Sequence, residues 1–192
     1  MIGLVLAGGK SSRLGQDKTA VVHEGQTLLE RTARLLAPHV EQVYVSCRHP
    51  ERFRLDWPVL VDETARIGPA GGIMTALRRL GGPVFVLACD LPFMEARFIR
   101  RLLTARETRP RSSVLTAWRL EGSDYVENLV AIYESEALPL MELGVAQDIF
   151  KLGRLIPAEL RHTLPYTEEE RDAFFNVNRP EDLRRLSGCA AV

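Results

Sequence analysis

Pro83-Val84-Phe85-Val86-Leu87-Ala88-Cys89-Asp90-Leu91-Pro92 is the stretch on which the fold turns. Val84 through Ala88 is an unbroken apolar run, the pattern of a strand covered on both faces. Gly81-Gly82-Pro83 stops the element before it, as a C-terminal glycine followed by proline stops a helix. That preceding helix runs through Ile73, Leu77 and Leu80, out of the glycine-rich turn Gly68-Pro69-Ala70-Gly71-Gly72. Further back, Val59-Leu60-Val61 and Val43-Tyr44-Val45 read as short strands. Thr27-Leu28-Leu29-Glu30 is a capping box opening a helix whose Leu28, Thr32, Leu35 and Leu36 share one face. Ile2-Gly3-Leu4-Val5-Leu6-Ala7 is the first buried strand, closed by Gly8-Gly9. On the other side of Asp90, a helix buries Phe98, Ile99, Leu102 and Leu103 and turns Arg97, Arg100, Arg101 and Arg106 to solvent. Val114-Leu115-Thr116-Ala117 and Leu129-Val130-Ala131-Ile132-Tyr133 are further strands, and short helices follow Ser135 and Gln147. Asn178-Arg179-Pro180-Glu181 caps a last helix through Leu183 and Leu186.

Apolar strands alternating with helices predict an α/β fold: a single doubly wound, mostly parallel sheet with helices on both faces. With no repeat, linker or low-complexity stretch, residues 1–192 read as one domain. The composition is 46% hydrophobic and 26% charged, which excludes wholesale disorder. Lys plus Arg equals Asp plus Glu at 25 each, so there is no positive excess of the kind nucleic acid or an anionic membrane attracts. Cys47, Cys89 and Cys189 are an odd count of 3 without a C-x-x-C pair, so neither a disulfide framework nor a zinc site is expected, and a reducing cytoplasm suits them. Ile2–Ala7 has no basic leader, and no stretch approaches the ~20 apolar residues of a membrane span.

In open parallel sheets ligands bind beyond the carboxyl ends of the strands. After the first strand come Gly8, Gly9, Lys10, Ser11, Ser12, Arg13, Gly15, Asp17 and Lys18; after the third comes Asp62; after the fourth, Asp90. A Walker A motif would need glycine at Leu4, and G-x-G-x-x-G is absent, so neither phosphate fingerprint applies. What stands there is a glycine-rich loop that can offer backbone N–H groups to an anion, with Arg13 and Lys18 as counter-charges, or a plain solvated turn. Asp90 is either a hard oxygen ligand for Mg²⁺ or a turn aspartate before Leu91-Pro92, and Asp62 has the same two readings. Gly68 to Gly72 either starts a helix or lets a flat base pack on bare backbone. Asn178 is explained by capping, whereas Asn176 in Phe174-Phe175-Asn176-Val177 is not.

Leu6-Ala7-Gly8-Gly9-Lys10-Ser11-Ser12-Arg13-Leu14-Gly15-Gln16-Asp17-Lys18 closely resembles the L-A-G-G-x-S-x-R-M-G-x-D-K signature of the molybdenum cofactor guanylyltransferase (MobA) family, with Leu14 in place of methionine. Gly68-Pro69-Ala70-Gly71-Gly72 resembles its G-P-L-A-G segment, and Ala88–Phe93 its C-D-x-P-[FY] segment. Phe175-Asn176-Val177-Asn178-Arg179-Pro180-Glu181-Asp182-Leu183 resembles its closing F-x-N-[IV]-N-x-P-E-[DE]-L. The resemblance implies a Rossmann-like nucleotidyltransferase fold and the transfer of GMP from GTP to molybdopterin, with Mg²⁺ as cofactor and pyrophosphate as leaving group. It implies that Leu6, Ala7, Gly8 and Gly9 hold the nucleotide through backbone, with the Gly68, Pro69 and Gly71 segment beside them. Lys18 and Asp62 would bind it through side chains, Asp90 would ligate the metal, Arg13 would neutralise pyrophosphate, and Asn176 and Asn178 would face the pterin. Protein partners would be those that deliver molybdopterin or the molybdoenzymes that use the product. Two positions depart from the pattern: Val45-Ser46-Cys47 lacks an asparagine, and Glu127-Asn128-Leu129 stands where a His-Pro or Glu-Pro is common. The rival readings are a molybdopterin cytidylyltransferase, a sugar-phosphate nucleotidyltransferase and a nucleotide-binding module without turnover. Leu6-Ala7-Gly8-Gly9, rather than L-A-A-G, leans towards guanine.

Overall fold

The computed structural model describes residues 1–7, 20–48, 56–63 and 67–188, with the side chains of 187 and 188 left aside. Its strands are β1 (Ile2–Leu6), β2 (Val22–His23), β3 (Gln26–Thr27), β4 (Val43–Cys47), β5 (Val59–Val61), β6 (Val84–Ala88), β7 (Leu115–Leu120), β8 (Val126–Tyr133) and β9 (Arg161–Tyr166). Its α-helices are α1 (Leu28–Leu36), α2 (Pro69–Leu80), α3 (Ala96–Thr108), α4 (Ala137–Ala146) and α5 (Asp182–Gly188). Seven strands form one sheet in the order β5-β4-β1-β6-β8-β7-β9. β1, β4, β5 and β6 are parallel, as are β7 and β9, while β8 runs antiparallel to both its neighbours.

The chain steps outward from β1 through α1 to β4 and β5, then returns through α2 to β6 on the other side of β1. The connections therefore diverge between β1 and β6, and the crevice beyond that point is where such sheets take ligands. Successive side chains of a strand face opposite sides. Leu4, Leu6, Val84 and Val86 accordingly pack with Ile73, Met74 and Leu77 of α2 and Met141 of α4. Val5, Phe85 and Leu87 pack with Leu29, Ala33 and Leu36 of α1 and Phe98, Ile99 and Leu102 of α3. Both faces are covered, as the continuous apolar runs require.

The capping box forms: Thr27 Oγ1 accepts from Glu30 N at 3.2 Å, and Glu30 Oε2 accepts from Thr27 N at 3.1 Å. Gly81 closes α2 in the left-handed region at φ 66°, as its glycine requires. Several elements differ from expectation. Gly71 and Gly72 lie inside α2, not in a turn before it. Leu103 is half-buried, and Ala105 takes the core position instead. Arg106 is not simply solvated: its Nε and Nη2 bind Glu134 Oε1 and Oε2, each at 2.8 Å, and Arg109 Nη2 reaches Oε2 at 3.2 Å. α5 begins at Asp182, whose Oδ2 accepts from the backbone N–H of Asn178 and of Arg179 at 2.8 Å. The β2–β3 hairpin, turned by Glu24 and Gly25 at φ 51° and 77°, and the edge strand β9 were not anticipated. No helix among the described residues is long and apolar enough to cross a membrane.

Candidate active site at the carboxyl edge of the sheet

The backbone remains joined up to the crevice. Ala7 N donates to Ser46 O at 2.9 Å, and Cys89 N donates to Leu6 O at 3.3 Å. β1 is thus held between β4 and β6 at the point where its chain leaves the sheet. Gly72 presses α2 onto this floor: a Cβ there would stand 2.3 Å from Ser46 Oγ and 3.1 Å from Leu6 Cδ2. Gly68 begins the helix at φ 65° and ψ −147°, a conformation a side chain would strain, and, its chain neighbours aside, no atom of the other described residues lies within 4 Å of where a Cβ would stand.

Asp62 follows β5 on this edge. Its backbone N–H donates to Cys47 O at 3.3 Å, and Arg48 Nε lies 3.9 Å from its Oδ2. Its Oδ1 is buried without a hydrogen-bond partner among the described residues. Burial raises its pKa above the ordinary aspartate value, against the opposing pull of Arg48 and the Thr75 hydroxyl. Arg48 and the fully buried Thr75 were not singled out from the sequence, whereas Ser46 was noted only as standing where the family pattern has asparagine. Thr75 reads as one more helix residue, yet its Oγ1 accepts from Glu63 N at 3.2 Å and ties α2 to the turn after β5.

Asp90 follows β6, half-buried. Its carbonyl accepts from Val177 N at 2.9 Å, so the C-terminal segment returns to the crevice beside it. Asn176 is carried there, its Nδ2 donating to Phe174 O at 3.2 Å; Asn178 is exposed at the outer end of the same segment. The return is anchored by aromatic packing. Tyr166 stacks on Phe174 with centroids 4.1 Å apart, and Phe174 meets Phe98 at 5.3 Å and Trp118 at 5.7 Å. Each such pair contributes about 0.5–1.5 kcal/mol beyond its buried area.

Between this segment and the far strands lies a cavity of about 710 Å³, lined by residues that include Tyr125, Glu127, Tyr166, Phe175, Asn176 and Arg185. Glu127 is 8% exposed, and its Oε1 accepts from Tyr166 Oη at 2.7 Å. Burial raises the Glu127 pKa, partly offset by that hydrogen bond, and the Tyr166 hydroxyl is pushed far up by burial and by Glu127. In the sequence Glu127 stood out only within Glu127-Asn128-Leu129, a departure from the family pattern just before the apolar run from Leu129.

The described edge therefore brings together Leu6, Ala7, Asp62, Gly68, Pro69, Gly71, Asp90 and Asn176 from five separate stretches of chain. Gly8, Gly9, Arg13 and Lys18 lie outside the described residues. Cys89 is buried, and His23 is buried edge-on against Phe93, so both sit in packed surroundings. No group of three or more His, Cys, Asp or Glu gathers for a metal among the described residues. A single strand-end carboxylate is nonetheless the donor Mg²⁺ uses when phosphates and water complete its shell.

A protein of Thermococcus kodakarensis named "Probable molybdenum cofactor guanylyltransferase" is 34% identical over 97% of this chain and 94% of its own length. The crystal structure of molybdopterin-guanine dinucleotide biosynthesis protein A from Archaeoglobus fulgidus superposes with TM-score 0.79 at 28% identity, each chain covered in full. The CTP complex of CMP:2-keto-3-deoxy-manno-octonic acid synthetase shares the fold alone, at TM-score 0.73 and 14% identity over 99% of this chain and 97% of that one. The match to a family model runs from Gly3 of β1 to Leu160, across β4 to β8 and the strand ends that carry Asp62 and Asp90, and on residues 3–160 the chain belongs to the MobA-like NTP transferase domain family.

Proposed function

We propose that this protein transfers GMP from GTP to molybdopterin, giving the molybdopterin guanine dinucleotide and pyrophosphate, with Mg²⁺ as cofactor. The observation that carries the reading is the gathering of Ala7, Asp62, Gly68 and Asp90 along the carboxyl edge of the sheet, with a separate cavity lined by Asn176, whose neighbour Val177 donates to Asp90 O. One side suits a nucleotide and the other an acceptor. The terminal phosphate oxygen of the acceptor attacks the α-phosphorus in line, the bond to the bridging oxygen breaks, and pyrophosphate leaves with the electron pair. The attacking phosphate is already an anion, so no general base is needed.

In this reading Leu6, Ala7, Gly8 and Gly9 hold the triphosphate through backbone, and Gly68, Pro69 and Gly71 border the base. Lys18 and Asp62 fix the nucleotide, Arg13 offsets the charge on the departing pyrophosphate, and Asn176 and Asn178 face the acceptor. Asp90 would hold Mg²⁺, which when bound neutralises phosphate charge. Positioning and charge neutralisation are what a transfer of this kind demands. Residues 1–192 act as one domain in the cytoplasm, and proteins that hand over molybdopterin or take up the product are its partners.

Calorimetry with GTP, CTP, ATP and UTP in Mg²⁺, paired with pyrophosphate release on adding molybdopterin, tests the reading. GTP preference and acceptor-dependent release are expected, with GTP affinity falling in Lys18→Ala. Preference for CTP would move the assignment to a cytidylyl enzyme, and binding without turnover would make the protein a nucleotide-binding module.

A further inference from the structure

The pairing of β7 with β8 is interrupted. Ala117 faces Ala131, but the next residue, Trp118, faces Glu127, so Asn128, Leu129 and Val130 form a bulge in β8. Without it Glu127 would fall opposite Glu121, out in the turn. The bulge is braced on both sides: Tyr133 Oη donates to Asn128 O at 2.9 Å, and Asn128 Nδ2 donates to Val126 O at 2.8 Å. Bulges beside active sites re-aim side chains. This one draws a carboxylate inward to line the cavity, a placement that core packing alone disfavours.

Other charges around the cavity are matched. Arg185 Nη2 binds Asp172 Oδ1 at 2.8 Å, and Arg171 Nη1 binds Glu168 Oε1 at 2.5 Å. Glu127 has a hydroxyl, not a cation, as its hydrogen-bond partner among the described residues. A carboxylate offers about four acceptor sites on two oxygens, so one hydroxyl leaves capacity for a pair of donors. Phe174 and Phe175 give the cavity flat apolar walls, and the Arg185 guanidinium lies 4.2 Å from the Phe175 ring centroid. A planar heterocycle with two adjacent N–H groups fits that chemistry.

We propose that Glu127, steadied by Tyr166, selects the acceptor by taking the two parallel N–H donors of a 2-amino-4-oxopyrimidine ring seated in this cavity. The inference rests on the acceptor being a pterin, as proposed above. Guanine presents a similar donor edge, but the cavity lies on the β8, β7 and β9 side of Asp90, away from the β1, β4 and β5 ends assigned to the nucleotide. Asn176 lines the cavity, and its neighbour Val177 donates to Asp90 O, so a ring held at Glu127 can direct its phosphate toward Asp90.

The test measures binding of 6-hydroxymethylpterin and 6-hydroxymethyllumazine to the full chain; the second has an oxo group where the first has its amino group. Wild-type protein should prefer the pterin by at least about tenfold, the scale of one hydrogen bond to a charged group. Glu127→Gln keeps the shape but offers one acceptor and one donor, so the preference should shrink to within about twofold while GTP affinity holds. Tyr166→Phe should reduce it less. Equal or absent binding of the two probes by wild type, an undiminished preference in Glu127→Gln, or a loss of GTP affinity in its place would each overturn the assignment. GMP transfer to molybdopterin by wild type, followed in parallel, separates the two claims. Transfer with an intact pterin preference in Glu127→Gln removes this role alone. Absence of transfer removes the proposed function, while the probe preference still decides what Glu127 does.

Discussion

Replacing Gly72 with alanine sets two known effects against each other. Glycine inside a helix costs about 0.5–1 kcal/mol relative to alanine, so the substitution at the fourth residue of α2 would ordinarily stabilise. Here the new Cβ would stand 2.3 Å from Ser46 Oγ, 3.3 Å from Ser46 Cβ and 3.1 Å from Leu6 Cδ2. Carbon contacts are favourable near about 3.5–4.0 Å, and overpacking a filled interior costs about 1–3 kcal/mol. Gly72→Ala should therefore lose about 1–2 kcal/mol net. Ser46→Ala removes the closest atom and leaves contacts of 3.1 Å and 3.3 Å, which small shifts relieve. In that background the alanine should be neutral or stabilising, giving a favourable coupling of at least about 1 kcal/mol. Urea unfolding of the four proteins, with a shared slope, measures it. Because the Ser46 carbonyl also accepts from Ala7 N, a displaced β4 should weaken GTP binding in Gly72→Ala and not in the double variant. Additive stabilities, or a Gly72→Ala protein more stable than its parent, would refute the close-packing account.

Asp90→Ala should keep the fold and lose at least about 100-fold in turnover, the scale of one transition-state electrostatic contact; near-native turnover would remove the metal role. Glu134→Ala should cost about 1–3 kcal/mol in urea, because it strips the half-buried Arg106 and Arg109 of a carboxylate that is itself 5% exposed. A change within a few tenths of a kcal/mol would contradict that. Glu127 binds its proton more tightly in the folded than in the unfolded chain, because burial raises its pKa. Its contribution to stability is then full below the unfolded carboxylate range and falls as pH rises through the folded value. Melting temperatures across pH should show Glu127→Gln gaining on wild type as pH rises; a constant offset between the two would count against a buried, ionising Glu127.

The runs that became β1 and β6 were legible because strands covered on both faces carry near-continuous apolar runs, and Val43-Tyr44-Val45 and Val59-Leu60-Val61 showed as short apolar stretches beside them. Their shared edge followed from that, and with it the nearness of Asp62 to Asp90. β9 was not legible for the opposite reason. Arg161-His162-Thr163-Leu164-Pro165-Tyr166 is a partly exposed edge strand, so no apolar run marks it, and Pro165 argues against a strand by local rules. The reversal of β8 was hidden because hydrophobic pattern carries no direction. Arg106 looked like its exposed neighbours on α3, since its partner Glu134 is distant in sequence. Glu127 was visible only as a departure from a family pattern; the bulge that places it depends on hydrogen bonds from Tyr133 and Asn128 that no spacing rule predicts.

The two outer strands bear on how copies of this chain can meet. β5 has three residues, and β9 carries Pro165, which has no N–H to donate. A strand that is very short or interrupted by proline is a poor template for another strand. Neither end of the sheet therefore offers a long, uninterrupted row of strand N–H and C=O groups, and extension of the sheet from one copy into another is disfavoured at both ends.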